Sequence, residues 1–513
     1  MADRSTIREL LDRGEAEAPA LLAPGRAPLT FAGLRDLVDR TVERLNELGI
    51  GREDRVAIVL PNGPEMAAAF LAVACGATTV PLNPAYREQE FDFYLGDLGA
   101  RALIVAAEAE TPAIAVARRR GARILRLVVP DGAPAGAFAL GAEDGPETEA
   151  ARRGPAESEE VALVLHTSGT TSRPKIVPLL HRNLCASAGH IGSTLRLSPA
   201  DRCLNIMPLF HIHGLVAAVL SSLAAGGSVF LTPGFDALRL FRWMEEAAPS
   251  WITAVPTMYQ AILGRAARRG EALAAAGLRF LRSSSASLPP QVMAELERVF
   301  ACPVIESYGM TEAAHQMTSN PLPPAPRKPG SVGREAGPRV RILGEDGRFL
   351  APGEEGEIVI SGPNVTPGYE NNPEANAAAF FEAEGRRWFR TGDQGRFDAD
   401  GYLFITGRLK EMINRGGEKI APLEVDTVLM DHPAVRQVVT FALPHPKLGE
   451  EVAAAVVLRE GAEADERELR AFAAERLADF KVPRRIVFVA EIPKGPTGKL
   501  QRIGLAERLG LVA

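Results

Sequence analysis

"VALVLHTSGTTSRPK", residues 161–175, joins two kinds of sequence within fifteen positions. Val161–Leu165 is a short apolar run of strand length. After it come Thr167, Ser168, Gly169, Thr170, Thr171 and Ser172, then the cations Arg173 and Lys175. A packed core needs no such mixture. The question is whether strand followed by unusual polar residues is an accident here or a rule of the chain.

It is a rule. "RCLNIM" (202–207) runs into "PLFHIHG", "WITAV" (251–255) into "PT", "LRFLR" (278–282) into "SSSAS", and "PVIES" (303–307) into "YGMTEAAHQM". With "VALVL" and "SVFLT" (228–232) these are six strand candidates, most of them separated by helical patterns such as 237–248, 257–270 and 291–300. Alternation of that kind predicts α/β layering with largely parallel sheets. In open parallel sheets the carboxyl ends of the strands converge on the ligand crevice. The polar insertions therefore predict one composite site.

An earlier block alternates in the same way. "RVAIVL" (55–60), "TTVPL" (78–82), "RALIVAA" (101–107) and "RILRLVV" (123–129) read as strands, with helices over 64–77 and 111–122. The stretch 130–160 is rich in Pro, Gly, Ala and acid and reads as a surface loop. Beyond Pro321 a proline-rich connector leads to short strands with Asp-Gly turns, "VRILGEDGRFL", "GEIVISG" and "ADGYLFITG". From about Lys410 helices ("LEVDTVLM", "ERELRAFAAERLADF") mix with strands ("VRQVVTFAL", "VAAAVVL", "RIVFVAEI"). The expected architecture is α/β. A large N-terminal domain, 1–409, holds α/β subdomains of about 1–190 and 191–330 and a β subdomain of about 331–409. A small α+β C-terminal domain spans 410–513.

Composition sets the broad class. At 513 residues the chain is too long for one core. Its 46% apolar and 24% charged residues match an ordinary globular protein, and a net charge of −6 excludes a general nucleic-acid binder. Cys75, Cys185, Cys203 and Cys302 lie far apart without metal spacing and are expected reduced. No apolar run is long enough to span a membrane, the N-terminus lacks a secretory h-region, and "GLVA" at the end is no peroxisomal address. The expectation is a cytoplasmic soluble protein.

The residue types point to a nucleotide. Gly169 lets backbone approach a ligand, and the hydroxyls with Arg173 and Lys175 suit a polyphosphate, although the P-loop spacing is absent. A solvated Ser/Thr turn has the same composition. In "YGMTE", Glu312 suits a magnesium ion and Tyr308 a purine face; a helix start would also explain Thr311 and Glu312. Asp393 in "WFRTGD" offers a carboxylate to ribose hydroxyls or is a plain loop aspartate. "RLKEMINRGGEKI" and "PKGPTGKLQR" add glycine-backed cations or solvated turns. If 308–317 is a helix, Glu312 and His315 share a face, and His315 can meet His211 and Ser285 from neighbouring strand ends. Histidines and a hydroxyl suit a second carboxylate better than an alkyl chain; they would equally serve as wall or core residues.

In order, "HTSGTTSRPK", "YGMTE", "TGD", "GRLKE", "GGEKI" and "PTGKLQR" resemble the adenylate-forming superfamily of acyl-CoA synthetases, adenylation domains and luciferases, over nearly the whole chain. "PLFHIHGL", "RSSSASL", "YGMTEAAHQMTSNPLPP" and "INRGGEKI" look like its oxalate–CoA ligase branch. Ile176 departs from the glycine frequent in relatives. The resemblance implies an ATP-dependent acid–CoA ligase using ATP, Mg2+ and CoA, with oxalate as the acid. Implied ATP contacts are Thr167, Ser168, Gly169, Thr170, Thr171, Lys175, Ser285, Ala286, Ser287, Glu306, Ser307, Tyr308, Gly309, Met310, Thr311, Asp393, Arg408 and Lys499. Thr311, Glu312 and Lys499 are the implied catalytic set, with Glu312 on the metal; His211, His213, Ser285 and His315 face the acid. Lys410 is the implied hinge of a mobile C-terminal domain, and Arg415, Gly416, Gly417 and Lys419 border the CoA side. Other readings are a ligase for a different short- or medium-chain acid, a luciferase-like oxygenase, an amino-acid loader of carrier proteins and a non-catalytic nucleotide binder.

Overall fold

A computed structural model describes residues 6–143, 149–167, 174–266, 273–274, 276–495 and 499–512. Four sheets organise them. The first has seven strands, in the order 139–142, 123–128, 102–106, 55–59, 78–81, 161–167 and 175–180. The second has nine, in the order 334–335, 315–319, 304–310, 280–283, 251–254, 202–205, 228–231, 19–22 and 29–30. From strand 304–310 to strand 19–22 every neighbouring pair of that sheet is parallel.

These sheets correct two expectations and add a strand. Val161–Thr167 belongs to the first sheet: it pairs parallel with Thr78–Pro81 and antiparallel with Lys175–Leu180. Chain order put it with the later strands, but the pairing of its apolar residues put it with the earlier ones. Pro19–Leu22, not read as a strand in the sequence, joins the second sheet beside Ser228–Leu231. Ala139–Ala142, inside the stretch read as a loop, pairs with Arg123–Val128 as an edge strand. Ala, Leu and Gly carry little β signal there, so the partner strand decides.

Local rules place the helices. Phe31–Glu47 starts at Thr30, whose Oγ accepts the Gly33 N–H at 3.1 Å, a cap that contributes about 1 kcal/mol. Its Leu34, Leu37, Val38, Thr41, Val42 and Leu45 recur at three- and four-residue spacing and are buried. Pro64–Ala74 begins on proline and is apolar nearly all round, because it lies buried in the largest core. His213–Leu220 is a π-helix, every residue of it buried, immediately behind the "HIH" segment. Such widened turns are rare and gather at functional sites.

Strands 339–343, 356–361, 380–383, 386–397 and 403–408 form a third, antiparallel sheet. The fourth joins 413–415, 418–420, 435–445, 449–458 and 485–488, with helices Pro422–Met430 and Glu466–Ala474 packed on its core. Polar contacts from this last body to the rest, among the described residues, include Gln437 to Gln260 at 2.7 Å, Gln291 to Asp431, and a loose Lys419–Glu345 pair at 3.8 Å. No described helix is long and apolar enough to cross a membrane, and all four cysteines are buried, none of them in a disulfide.

Candidate active site

The carboxyl ends of the second sheet's parallel strands carry the predicted polar residues. Arg202–Asn205 leads to His211 and His213, Phe280–Ser283 to Ser285, and Val304–Met310 to Thr311 and Glu312. The last connection is not a helix. Thr311–Ala313 is a single 3-10 turn, Ala314 sits at φ 47° and His315 at φ 105°, and His315–Ser319 returns as an antiparallel strand. Glu312 and His315 thus do not share a helical face. Gly309 explains why the return is so tight: a Cβ there would lie 1.8 Å from the His315 carbonyl oxygen.

Glu312 is buried, and its Oε1 accepts the Tyr369 hydroxyl at 2.9 Å. Burial raises its pKa, opposed by the Tyr369 hydrogen bond and the Lys175 charge. Lys175 lies over the Tyr369 ring, 4.2 Å from its centroid. Burial lowers the Lys175 pKa, and the nearby Lys410 charge adds to this. Thr167 stands opposite Lys175 in the hairpin register. Ser168, Gly169, Thr170 and Thr171, with Ser172 and Arg173, lie outside the described residues. Ile176 is accommodated: its side chain packs into a core with Val164, and its carbonyl accepts the Glu370 N–H at 3.1 Å.

Asp393 is a strand residue rather than a loop aspartate. It is buried, bonded to the Tyr308 hydroxyl and paired at 2.8 Å with Nε of Arg408, its register partner. Tyr308 is itself buried beneath that carboxylate, and burial drives its pKa well above the usual phenol value. Glu306 accepts the Leu288 N–H at 2.8 Å and so ties down the Ser285–Leu288 loop; burial pushes its carboxyl up to about 8. Ser307 is buried beside it, its carbonyl accepting the Ser284 hydroxyl at 2.9 Å. In the loop, Ser285 sits at φ 73°, a costly value for a serine, while Ala286 and Ser287 are exposed.

His213 is fully buried and both ring nitrogens are engaged, Nδ1 with Ser285 Oγ at 3.1 Å and Nε2 with Thr253 Oγ1 at 2.6 Å. It backs Ser285 rather than offering a free nitrogen. The ring of His315 packs edge-on against it, centroids 5.0 Å apart. Burial holds all three histidines neutral: His211 falls to about 3, and His213 and His315 lie well below the usual imidazole value.

Lys499 reaches this cluster from the last body. Part of the residue stays open, but its ammonium is closely surrounded by protein, and that burial, with Arg408 nearby, brings its pKa down to about 8. Its charge is felt at His211, His213 and His315, and it feels Asp393 and Glu312 in turn. Sequence reading missed Arg282, Thr253 and Tyr369. Arg282 stands in a strand pattern that offers no reason to expect a buried charge, and Tyr369 comes from a distant loop. Lys410 lies exposed in the turn after Arg408, whose carbonyl accepts the Glu411 N–H at 2.8 Å. Gly416 (φ 61°) and Gly417 (φ 99°) close the next hairpin, where Arg415 bonds Glu451 at 2.6 Å; Lys419 is exposed. These CoA-side residues have no described contact with the cluster around Lys499.

Two family matches account for most of the molecule. The AMP-binding enzyme family covers residues 11–370, and its C-terminal domain family covers residues 424–499. The chain belongs to the AMP-binding enzymes. Within the adenylate-forming superfamily it is 45% identical to a probable CoA ligase from Humulus lupulus (99% of this chain, 97% of the relative). It is 44% identical to an oxalate–CoA ligase from Arabidopsis thaliana, over 98% of each chain. The ATP-bound crystal structure of MatB from Rhodopseudomonas palustris superposes with a TM-score of 0.86, at 30% identity over 98% of each chain. Like those AMP-binding enzymes, this one is an AMP-forming acid–thiol ligase.

Proposed function

We propose that the enzyme is an oxalate–CoA ligase that proceeds through an acyl-adenylate. The observation that carries this reading is the acid end of the site. His213 gathers the other polar groups there: its backbone N–H reaches His211, its ring bonds Ser285 and packs against His315, and the Lys499 charge is felt by all three histidines. A second carboxylate needs hydrogen-bond donors when it leaves water, and an alkyl chain does not. The 44% identity to the Arabidopsis oxalate–CoA ligase supports the same acid. With oxalate, malonate, acetate and octanoate compared by kcat/KM, oxalate is expected to rank first. His315→Ala should lower the oxalate value by about 10- to 100-fold, the cost of one hydrogen bond to a charged group, and erase the preference. If octanoate ranks first, or the variant keeps its preference, the acid is something else.

The chemistry follows from charge. A carboxylate oxygen attacks the α-phosphorus of ATP, pyrophosphate leaves, and the acid becomes a mixed anhydride with AMP as a good leaving group. Negative charge grows at the α-phosphate, where a positioned ammonium such as Lys499 lowers the barrier. Asp393 and Arg408 hold the ribose end, and Lys175 and Thr311 face the phosphates. Glu312 fits a magnesium ion: it is a buried carboxylate with a single hydroxyl partner, and no described cluster of three ligands competes, so the phosphates would complete the shell. Such an ion would neutralise phosphate charge. The CoA thiol then attacks the same carbonyl and displaces AMP. That step needs a different group at the carbonyl, which rotation of residues 410–513 about Lys410 would supply.

The lysine carries a pH signature. Only its protonated form stabilises the phosphate, and that form is present below a pKa of about 8 and lost above it. The kcat/KM for ATP should therefore fall above about pH 8 with the loss of one proton, and Lys499→Arg should move the fall to higher pH. Pyrophosphate release across pH 6.5–9.5 would show it (about three pH units bracketing the lysine). A profile flat to pH 9.5 would remove Lys499 from the adenylation step.

A further inference from the structure

Arg282 is fully buried in the Phe280–Ser283 strand, yet among the described residues it forms no ion pair. Its guanidinium faces neutral acceptors instead: His315 Nδ1 at 3.5 Å, Gln316 Oε1 at 3.3 Å and Thr253 Oγ1 at 3.4 Å. Its Nε has no partner. Burying a guanidinium without a counter-ion is costly, so its position calls for a reason.

A guanidinium has donors and no acceptor. The nitrogen of His315 that faces it must therefore be the bare one, and the proton of the neutral ring sits on Nε2. Thr253 Oγ1 likewise accepts from Arg282. Its own O–H is buried, and the acceptor it meets is His213 Nε2, at 2.6 Å. The proton of neutral His213 then sits on Nδ1 and is donated to Ser285 Oγ at 3.1 Å. Ser285 is left with its O–H to give away. The backbone fixes the third ring, because the His213 N–H donates to His211 Nδ1 at 3.3 Å and leaves the proton of His211 on Nε2. Neither His211 Nε2 nor His315 Nε2 has a hydrogen-bond partner among the described residues.

We propose that Arg282 is a positioning residue that fixes the tautomers of His213 and His315, so that the acid pocket offers only N–H and O–H donors to the second carboxylate of the substrate. The pocket selects an anion without holding charged histidines, and the buried Arg282 acts through its neighbours. This rests on the dicarboxylate reading above, but the arrangement of protons is testable without it.

Nitrogen-15 NMR of the histidine-labelled full-length enzyme, assigned with single His→Gln variants, reads each tautomer directly. Wild type should show Nε2–H at His211 and His315 and Nδ1–H at His213. Finding His315 as Nδ1–H in the wild type overturns the proposal with no variant needed. Arg282→Met keeps the length and removes the donors. It should mix the tautomers of His213 and His315 and raise the KM for oxalate by about 10- to 100-fold, leaving the KM for ATP within about twofold, and Arg282→Lys should recover part of the loss. If Arg282→Met does not fold, Thr253→Val breaks one branch alone: His213 should lose its single tautomer and His315 should keep it. Unchanged tautomers and unchanged oxalate KM in either variant overturn the proposal. If wild type shows the stated tautomers but does not turn over oxalate, the choice of acid falls and the role of Arg282 stands.

Discussion

Replacing Lys499 by alanine should reduce adenylation by about 10²- to 10³-fold or more, the loss seen when one transition-state donor is removed. The same variant, given a preformed acyl-adenylate and CoA, should make thioester at close to the wild-type rate. The division follows from where the ammonium lies. It stands among His211, His315, Asp393, Arg408 and Glu312, and it arrives there on a body joined to the rest through the turn at Lys410. Pyrophosphate release measures the first step and AMP release from supplied adenylate the second. Equal losses in both would show that one arrangement serves both steps.

Lys410→Pro should do the reverse. Proline fixes φ and so would block a rotation about Lys410, the one proposed above for the second step. In the present arrangement, the described hydrogen bonds of this turn use the N–H groups of Leu409, Glu411 and Met412 and leave that of Lys410 out, so a proline there removes no described hydrogen bond of the arrangement with Lys499 inward. Adenylation should stay near wild type while thioester formation falls on the order of 10²-fold, as when reacting groups cannot be brought into register. A variant normal in both steps would place the pivot elsewhere.

Much of this site was legible because its chemistry uses residue types that strands do not otherwise carry. Histidines, a serine run, a carboxylate and glycine-backed lysines at strand ends stand out against apolar strands, and their order along the chain is informative. Pairing was less legible. Val161–Thr167 pairs with the earlier strands rather than the later ones with which the sequence groups it, and Pro19–Leu22 does not read as a strand, because long-range packing of their faces decides the partner. The shared face of Glu312 and His315 depended on a helix that does not form there: Thr311–Ala313 is a 3-10 turn, and the tight return past Gly309 is set by backbone contact with His315. Arg282 was invisible for a different reason: a charge in a strand pattern reads as an exposed face, and only its neighbours reveal that it is enclosed.

The division of labour between the two bodies has an evolutionary side. Every group assigned to recognising the acid, His211, His213, Ser285, His315 and the Arg282 and Thr253 behind them, comes from the larger body, and the lysine that serves the phosphorus comes from the smaller one. On the proposed reading, the choice of acid and the ammonium that drives adenylation are therefore inherited on separate pieces. On this reading, substitutions at His211, Ser285, His315 or Arg282 would retrain the enzyme to another acid while Lys499 on the smaller body stays as it is. A lineage built this way can diversify its substrates one pocket at a time without re-inventing the reaction.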